Sequence, residues 1–383
     1  MEIDFLIIGA GFAGLVLAER LSSQLKKSCC VVDRRGHIGG NCYDEYDEHN
    51  VLVHRYGPHY FRTNSRDIRD YLGQFTGWKA VTYKVLSYCD GVYWSFPINL
   101  RTFEQLMARP VTEGEFGEYL EKRRIPIANP VNSEEVIVSQ VGWELYNKFF
   151  KNYTIKQWNL QPRDLDASVC GRIPVRLNAD DRYFEEEFQA LPADGYTKMF
   201  ENMLNRTSGV RLLLNTSFRD VAKEIRAKKI IYTGPIDEYF DCCYGKLPYR
   251  SLRFEREYYS VAKLREMGTE VNRNGYFQPE MQVNYPNEQD YTRIVEMKHA
   301  TKQVCAGTTI VREYPLEYRD GGEPYYPVPT KASGELYKRY KALAEQERSV
   351  RFVGRLATYK YLNMDQVVGL ALKEFRKIAS GVD

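Results

Sequence analysis

The first forty residues leave this chain few choices of fold. A short apolar run, Phe5 to Ile8, leads directly into Gly9-x-Gly11-x-x-Gly14. A helical stretch follows through Leu21, and a second apolar run, Cys29 to Val32, ends on Asp33. Strand, glycine turn, helix, strand and terminal acid at this spacing predict a β-α-β unit that binds a dinucleotide. Gly9 permits the tight turn, Gly11 has no side chain to hold a pyrophosphate off the backbone, and Gly14 lets helix and strand pack closely. Phe12 and Ala13 open a helix whose unpaired N–H groups and positive dipole end face the phosphates. Asp33 can accept from both ribose hydroxyls and disfavours a 2′-phosphate, so FAD or NAD is expected rather than NADP. Arg34 follows the acid, and a second glycine pair, Gly39 and Gly40 before Asn41, suits another close backbone approach to a long cofactor. That favours FAD.

A chain of 383 residues is long for one core, so two or three domains are expected. Lys and Arg total 54 against 51 Asp and Glu, a net charge of +3, which excludes a polybasic nucleic-acid binder and an acidic tail. An anionic ligand must then be met by a few local arginines. The eight cysteines include no C-x-x-C, and no signal peptide is read at the start, so a reduced, cytoplasmic protein is expected. The five histidines have no metal-ligand spacing, and no apolar run approaches the ~20 residues that span a bilayer.

Downstream, residues 44–50 read as a polar loop, 52–54 as a strand entering a Gly57-Pro58 turn, and Arg66 to Phe75 as a helix capped by Asn64 or Ser65. Asp90-Gly91 marks a hairpin between Val81–Tyr88 and Val92–Ser95. From Leu100 to Phe150 the pattern is helical, with starts at Thr102, Thr112 and Asn132 or Ser133, and Tyr153 to Arg182 reads as mostly irregular. A helix to Leu204, strands at 210–214 and 230–237, alternating runs between Leu252 and Val311, a helix from Lys331 or Ser333, a strand at 350–353 and a last helix to about Ala379 complete the chain. The fold class is therefore α/β: a discontinuous, Rossmann-like FAD-binding domain (1–78, 205–240, 345–383), an inserted helical domain (79–180) and a mainly antiparallel sheet domain (181–204, 241–344).

Four groups of residues could carry chemistry. Asn363 and Met364 open the last helix behind Gly354-Arg355, a helix end suited to negative charge on a flavin ring. Arg172-Ile-Pro-Val-Arg176 behind Gly171, beside Asp180-Asp181-Arg182-Tyr183-Phe184, has the composition of a mobile anion-binding lid. Asn284-Tyr285 and Tyr291-Thr292-Arg293 lie in predicted sheet. Tyr153, Trp158, Tyr183, Phe184, Tyr326 and Tyr361 could stack a base and contact a sugar, or simply pack the core.

In order along the chain, G-x-G-x-x-G, R-R-x-H-I-G-G-N, H-R-Y-G-P-H, Y-T-x-K-Q-W, R-I-P-V-R, D-x-R-Y-F, L-P-x-D-G-Y-T, I-Y-T-G-P-I-D-x-Y-F-D, Y-T-R-I, E-P-Y-Y-P-V and G-R-L-A-x-Y-K-Y resemble the UDP-galactopyranose mutase family, almost end to end. The resemblance implies a three-domain flavoenzyme, often a homodimer, that interconverts UDP-galactopyranose and UDP-galactofuranose for cell-surface polysaccharide synthesis. It implies reduced FAD, kept reduced by a donor such as NAD(P)H, whose N5 attacks the anomeric carbon while UDP leaves, with no net redox. By the same resemblance Arg172 and Arg293 hold the pyrophosphate, and Trp158, Tyr153 and Asn284 line the uridine site. Tyr183, Tyr326 and Tyr361 contact phosphate or sugar, with Phe184 beside them. His59 lies near the flavin, Arg355 reaches the FAD pyrophosphate, and Arg172, Arg293, His59 and Tyr361 form the catalytic set.

Two positions depart from the family pattern. G-x-H-x-F-H-T here reads G-P-H-Y-F-R-T, placing Arg62 where a histidine is usual, and an arginine also occurs there in relatives that accept UDP-N-acetylgalactopyranose. Y-x-D-M here reads Tyr361-Leu-Asn363-Met364. Both changes move charge in the positive direction near the expected reactive centre, one by adding a cation and one by removing a carboxylate, so a changed sugar is one alternative. An amine-oxidase-like flavin oxidoreductase, which shares the opening fingerprint, is the other; it would not need a pyrophosphate clamp.

Overall fold

The computed structural model describes residues 2–319 and 322–381. The opening strand, Glu2–Ile8, lies at the centre of a five-stranded sheet, between Cys29–Val32 and Arg226–Tyr232, with Val210–Leu213 and Val350–Phe352 at the edges. All of these pairings are parallel. Parallel sheets are covered on both faces, and the alternation of the strands shows how. Phe5, Ile7, Cys29 and Val31 face the helix Phe12–Leu25 and the C-terminal helix Met364–Ala379; Leu6, Ile8, Cys30 and Val32 face Val221, Phe218 and Ile225. The strand ending at Thr233-Gly234-Pro235 returns to this sheet, as its apolar run predicted.

Gly14 is what lets the first helix lie against the first strand. A β-carbon there would sit 1.9 Å from the carbonyl oxygen of Gly9. Gly9 itself has φ +106°, and a β-carbon would meet Thr233 Oγ1 at 2.1 Å. The turn is therefore closed against two parts of the chain at once.

The second layer is a seven-stranded sheet in the order Tyr326–Pro327, Tyr249–Ser260, Gly307–Glu317, Arg293–Val295, Gln282–Asn284, Val85–Cys89, Val92–Phe96. It is antiparallel except where Gln282–Asn284 runs parallel to Val85–Cys89. The hairpin, grouped with the helices on the sequence, is thus part of this sheet, and residues 81–84 precede its first strand rather than belonging to it. Its inner residues Val85, Trp94 and Phe96 share a core with Phe103, Phe116, Ile137 and Phe149 of the helices. A small sheet of Phe61–Thr63, Phe188–Pro192 and Trp78–Ala80 adjoins the first core.

Several local expectations are corrected. Residues 44–46 are a strand paired with Leu52–His54, not loop. The helix Leu100–Met107 is capped by Asn99, whose side chain accepts from the N–H of Arg101 and Thr102, not started by Thr102. The helix Arg66–Leu72 stops before Phe75 and is capped by Ser65. Residues 153–158 belong to the helix Asn152–Trp158, which continues from Ser133–Leu145 through a π-helical stretch, Tyr146–Lys151. Gly142 (φ +75°) kinks this long element against the Arg123 carbonyl, and Asn159 (φ +54°) ends it.

Gly14→Ala should destabilise the protein by on the order of 2–3 kcal/mol, because the new methyl can be relieved only by moving backbone. Gly369→Ala, in the C-terminal helix where the methyl meets only Ile68 Cδ1 at 3.4 Å, should be neutral or stabilising by up to about 1 kcal/mol. Chemical denaturation of the two variants beside the parent measures both.

Candidate active site

A cleft of about 640 Å³ runs along the C-terminal ends of the parallel strands, within the size range of small-molecule and cofactor sites. Of the residues expected at a dinucleotide, Gly9, Gly11, Phe12, Ala13, Asp33, Arg34, Gly40, Asn41, His59, Gly354, Arg355 and Met364 all line it. Gly14 lies beneath the turn, and Asn363 falls between the lining residues Leu362 and Met364 without lining the cleft itself. The helix Phe12–Leu25 begins at Gly11 with no side-chain cap, so its first N–H groups are free for an anion. Gly11 and Gly40 face each other so closely that a β-carbon on Gly40 would lie 3.0 Å from the Gly11 Cα. Gly354 (φ +100°) packs against Ala13, which brings the C-terminal segment back beside the opening turn.

Asp33 is already held by the chain. Its two oxygens accept from the N–H groups of Ala10 (2.8 Å) and Arg35 (2.9 Å), which aims the carboxylate and leaves each oxygen able to accept once more. Arg34 and Arg35 both pair with Glu323, at 2.9 and 2.6 Å, and Arg35 also donates to Asn41 Oδ1 at 2.8 Å. Glu323 and Arg35 were not singled out from sequence. The glycine cradle, the uncapped helix end and the aimed carboxylate fit a bound dinucleotide.

His59 lines the same cleft. Its Nδ1 lies 2.9 Å from the Gly57 carbonyl oxygen, so Nδ1 carries the proton and Nε2 is left as an acceptor. The His59 N–H donates to Nδ1 of the buried His54 at 3.0 Å. Burial holds both imidazoles neutral, with pKa values lowered to about 3. His59 therefore contributes no positive charge to the site.

Beyond His59 the cleft meets a cluster of guanidiniums and phenols. Arg172, exposed after the short turn Ser168–Gly171, lies over the Tyr361 ring, 4.6 Å from its centroid. Arg355 is 5.4 Å from the same ring and donates to the Tyr325 carbonyl. Tyr326 stacks on Tyr361 at 5.7 Å and meets Trp158 at 6.1 Å. Arg293 donates to Glu313 at 2.8 Å and approaches the Tyr326 hydroxyl at 3.4 Å. Tyr153 lies within the field of Arg293 and Glu313. Asn284 stands opposite Arg293 in register, its Oδ1 taken by Gln282. Three guanidiniums, Arg172, Arg293 and Arg355, gather around Tyr326 and Tyr361, and among the described residues only Arg293 of the three is paired with a carboxylate, Glu313, so positive charge is in surplus. Buried Nε groups of Arg293 and Arg355, and Oε2 of Glu313, find no hydrogen-bond partner among the described residues. Unpaired buried groups are costly, and these suit an incoming anion and its hydroxyls.

Glu313 was missed on the sequence because it sits in an alternating strand, where a charge usually faces water; register with Arg293 makes it 1% exposed instead.

The remaining expected residues lie otherwise. Of the arginine-rich lid, only Arg172 reaches the cluster. Arg176 is buried and bonded to the carbonyls of Asp180 and Arg182, Arg182 pairs with Asp180, and Asp181 with Lys84. Phe184 packs on Tyr60 and Tyr83 and carries the Arg62 guanidinium at 3.7 Å, whereas Tyr183, edge-on to Phe184, does reach the cluster, within the field of Arg172 and Tyr153. Arg62 is paired with Glu186 at 3.0 Å and lies near Asp365. The charge that Arg62 adds is thus compensated locally, which corrects the expectation of extra positive charge from that position.

The fold and cleft define a dinucleotide-binding α/β protein with a cationic cluster joined to the dinucleotide site through Arg355. Comparison with known proteins narrows this. The sequence profile of the UDP-galactopyranose mutase family matches residues 148–361, and a profile for NAD(P)-binding Rossmann-like domains matches 7–75. A protein of Klebsiella pneumoniae described as a probable UDP-galactopyranose mutase is 36% identical over 99% of this chain and 95% of its own. A dTDP-fucopyranose mutase of Escherichia coli is 34% identical over 96% of each chain. A crystal structure of reduced UDP-galactopyranose mutase shares the fold, with a TM-score of 0.73 at 16% identity over 99% of this chain and 96% of that one. The chain belongs to the UDP-galactopyranose mutase family, and is an enzyme of the isomerase class.

Tyr361 offers a direct test of the cluster. Burial works to raise its hydroxyl, but Arg172, Arg355 and Arg293 outweigh burial and bring it down to about 8. One tyrosine should therefore ionise near pH 8 by ultraviolet difference absorbance. The signal should vanish in Tyr361→Phe and move to higher pH in Arg172→Ala. Because the phenolate adds negative charge, binding of a diphosphate should weaken as pH rises through about 8, and less so in Tyr361→Phe.

Proposed function

We propose that this protein is an FAD-dependent mutase that interconverts the pyranose and furanose forms of a nucleotide-diphosphate sugar of the galactose type, with UDP-galactose the first candidate. The observation that carries this reading is the Arg172–Arg293–Arg355 cluster, with its phenols, opening from a cleft already shaped for a dinucleotide. A diphosphate that must leave and return needs fixed positive charge where its own charge develops. FAD would be held by the Gly9–Gly14 turn, Asp33, Gly40 and the Gly354–Met364 return, and in its reduced form supplies a nucleophilic nitrogen for the anomeric carbon.

The chain's own residues do the rest by position and charge. Arg293, aimed by Glu313, holds the diphosphate from the sheet side, and Arg172 from the mouth. Two planar guanidiniums match phosphate oxygens bidentately, which a lysine could not do. Tyr326 and Tyr361 give hydroxyls for phosphate or sugar oxygens. Trp158 and Tyr153, with Asn284, offer a wall for the nucleoside base. Neutral His59 can accept a hydrogen bond through Nε2 without competing for the anion.

The relatives favour a second reading for the substrate alone. One homologue of similar identity is named for a dTDP sugar rather than a UDP sugar, so base and sugar vary within this sequence distance. UDP-N-acetylgalactopyranose remains the alternative attached to Arg62. An amine oxidase is disfavoured physically, because a cationic amine would be repelled by the surplus guanidinium charge.

The test is anaerobic incubation of the dithionite-reduced protein with UDP-galactofuranose, UDP-galactopyranose, UDP-N-acetylgalactosamine and dTDP-fucose, followed by chromatography. Interconversion of at least one pair is expected; none with any of them would sink the proposal. Arg172→Ala and Arg293→Ala should each lower kcat/KM on the order of 10²-fold while retaining FAD. Loss of FAD instead would mean these arginines serve the cofactor.

A further inference from the structure

Lys156 has a complete set of contacts that no part of the mechanism uses. It lies on the helix Asn152–Trp158, between Tyr153 and Trp158. Its ammonium donates to three main-chain carbonyls: Tyr285 at 2.7 Å, Tyr291 at 3.1 Å, and Gln289. An ammonium has three protons and no acceptor, so this cage uses all of them. Asp290 and Glu288, on the same loop, add attraction.

The caged loop, residues 285–291, joins Asn284, last of one strand, to Arg293, first of the next. These two residues face each other across the hairpin, and the Tyr285 N–H closes its base on the Thr292 carbonyl at 2.8 Å. A second tie runs alongside: Asn152 donates to Asn287 Oδ1 at 3.0 Å, and Asn287 donates to the Lys148 carbonyl at 3.3 Å. Three carbonyl dipoles converging on one point repel one another unless a cation sits among them. Without the ammonium the three carbonyls lose their common partner, and the loop keeps only the Asn287 tie and the ring contacts of Tyr285 and Tyr291.

We infer that Lys156 is a positioning residue for the substrate. It acts as the resident cation of a carbonyl cage that fixes the helical wall of the cleft, bearing Tyr153 and Trp158, to the sheet wall bearing Asn284 and Arg293. The inference rests on the nucleotide-diphosphate reading above. Binding of a diphosphate between two walls depends on their spacing, and displacements near 1 Å can cost on the order of 10²-fold. Because the diphosphate is held both before and during reaction, slack between the walls should appear in KM more than in kcat.

The test uses the full chain loaded with FAD, as Lys156→Met and Lys156→Arg. Hydrogen–deuterium exchange across residues 285–291 should quicken about tenfold in Lys156→Met, with the flavin spectrum unchanged. UDP affinity, read by flavin or tryptophan fluorescence, should weaken about tenfold, and KM should rise by a similar factor with kcat changed less than about threefold. Lys156→Arg should fall between, since a planar fork cannot meet three carbonyls arranged around a point; it also serves if the methionine variant does not fold. Unchanged exchange in both variants would overturn the cage. Faster exchange with parental UDP affinity and KM would overturn the positioning role and leave a structural one. Failure of the parent protein itself to bind UDP would instead overturn the nucleotide-diphosphate reading, and with it the positioning role, while the exchange experiment still reports on the cage.

Discussion

Four stretches of chain, around residues 9, 40, 233 and 354, meet at the ends of the parallel strands at distances that allow no side chain between them. Gly9 abuts Thr233, Gly14 the Gly9 carbonyl, Gly40 the Gly11 backbone, and Gly354 Ala13. Everything functional is hung from this convergence. It leaves the helix end uncapped, it aims Asp33 through the Ala10 N–H, and it brings Arg355 beside the aromatic pair of Tyr326 and Tyr361. Backbone packed this closely gives a rigid floor, and a cofactor laid on it inherits that rigidity.

The second compartment is organised by electrostatics rather than by sterics. The Arg293–Glu313 pair is taken out of water by the sheet, and such a pair is stabilised only when most of its hydrogen-bonding capacity is used. Here some of that capacity is unspent, on Arg293 Nε and Glu313 Oε2. Arg172 and Tyr361 lie at the more open side, where charge can rearrange as a ligand enters. Neutral His59 lines the cleft within the field of Arg355 and Arg293 and adds no charge of its own. The departures from the family pattern sit at the edge of this scheme. Arg62 is matched by Glu186, and the first turn of the last helix carries Asp365 close to Arg62 and Thr63.

How much of this could be read from the amino-acid order depends on the range of the interaction. The opening β-α-β unit was legible because its turn, helix and acid are local and each glycine has a local cause. The return of the Thr233 and Gly354 segments was legible for a similar reason, an apolar run stopped by glycine. The long helical element was not. Gly142 and the π-helical stretch Tyr146–Lys151 break the period of 3.6, so Asn152–Trp158 loses its pattern just where Tyr153, Lys156 and Trp158 stand. Glu313, Glu323 and Glu186 were equally silent, because a carboxylate acquires its meaning from a guanidinium far away in the chain. The arginine-rich stretch from 172 to 182 misled in the opposite sense: of its three arginines, Arg176 and Arg182 are spent on holding the stretch together.

The strand order has a consequence for how the molecule comes to exist. The central strand is synthesised well before its partner on one side, Arg226–Tyr232, with Phe5 beside Lys229. An apolar strand meant for burial on both faces must therefore wait, one hydrogen-bonding edge open, until that distant partner has been made. Long-range parallel pairing of this kind closes slowly and leaves exposed edges prone to association in the meantime. The dinucleotide fingerprint is thus written long before the sheet around it is completed. A cofactor that binds across Gly9, Gly40 and Gly354 would act on the newborn chain as a fastener, favouring the state in which those distant segments have already met.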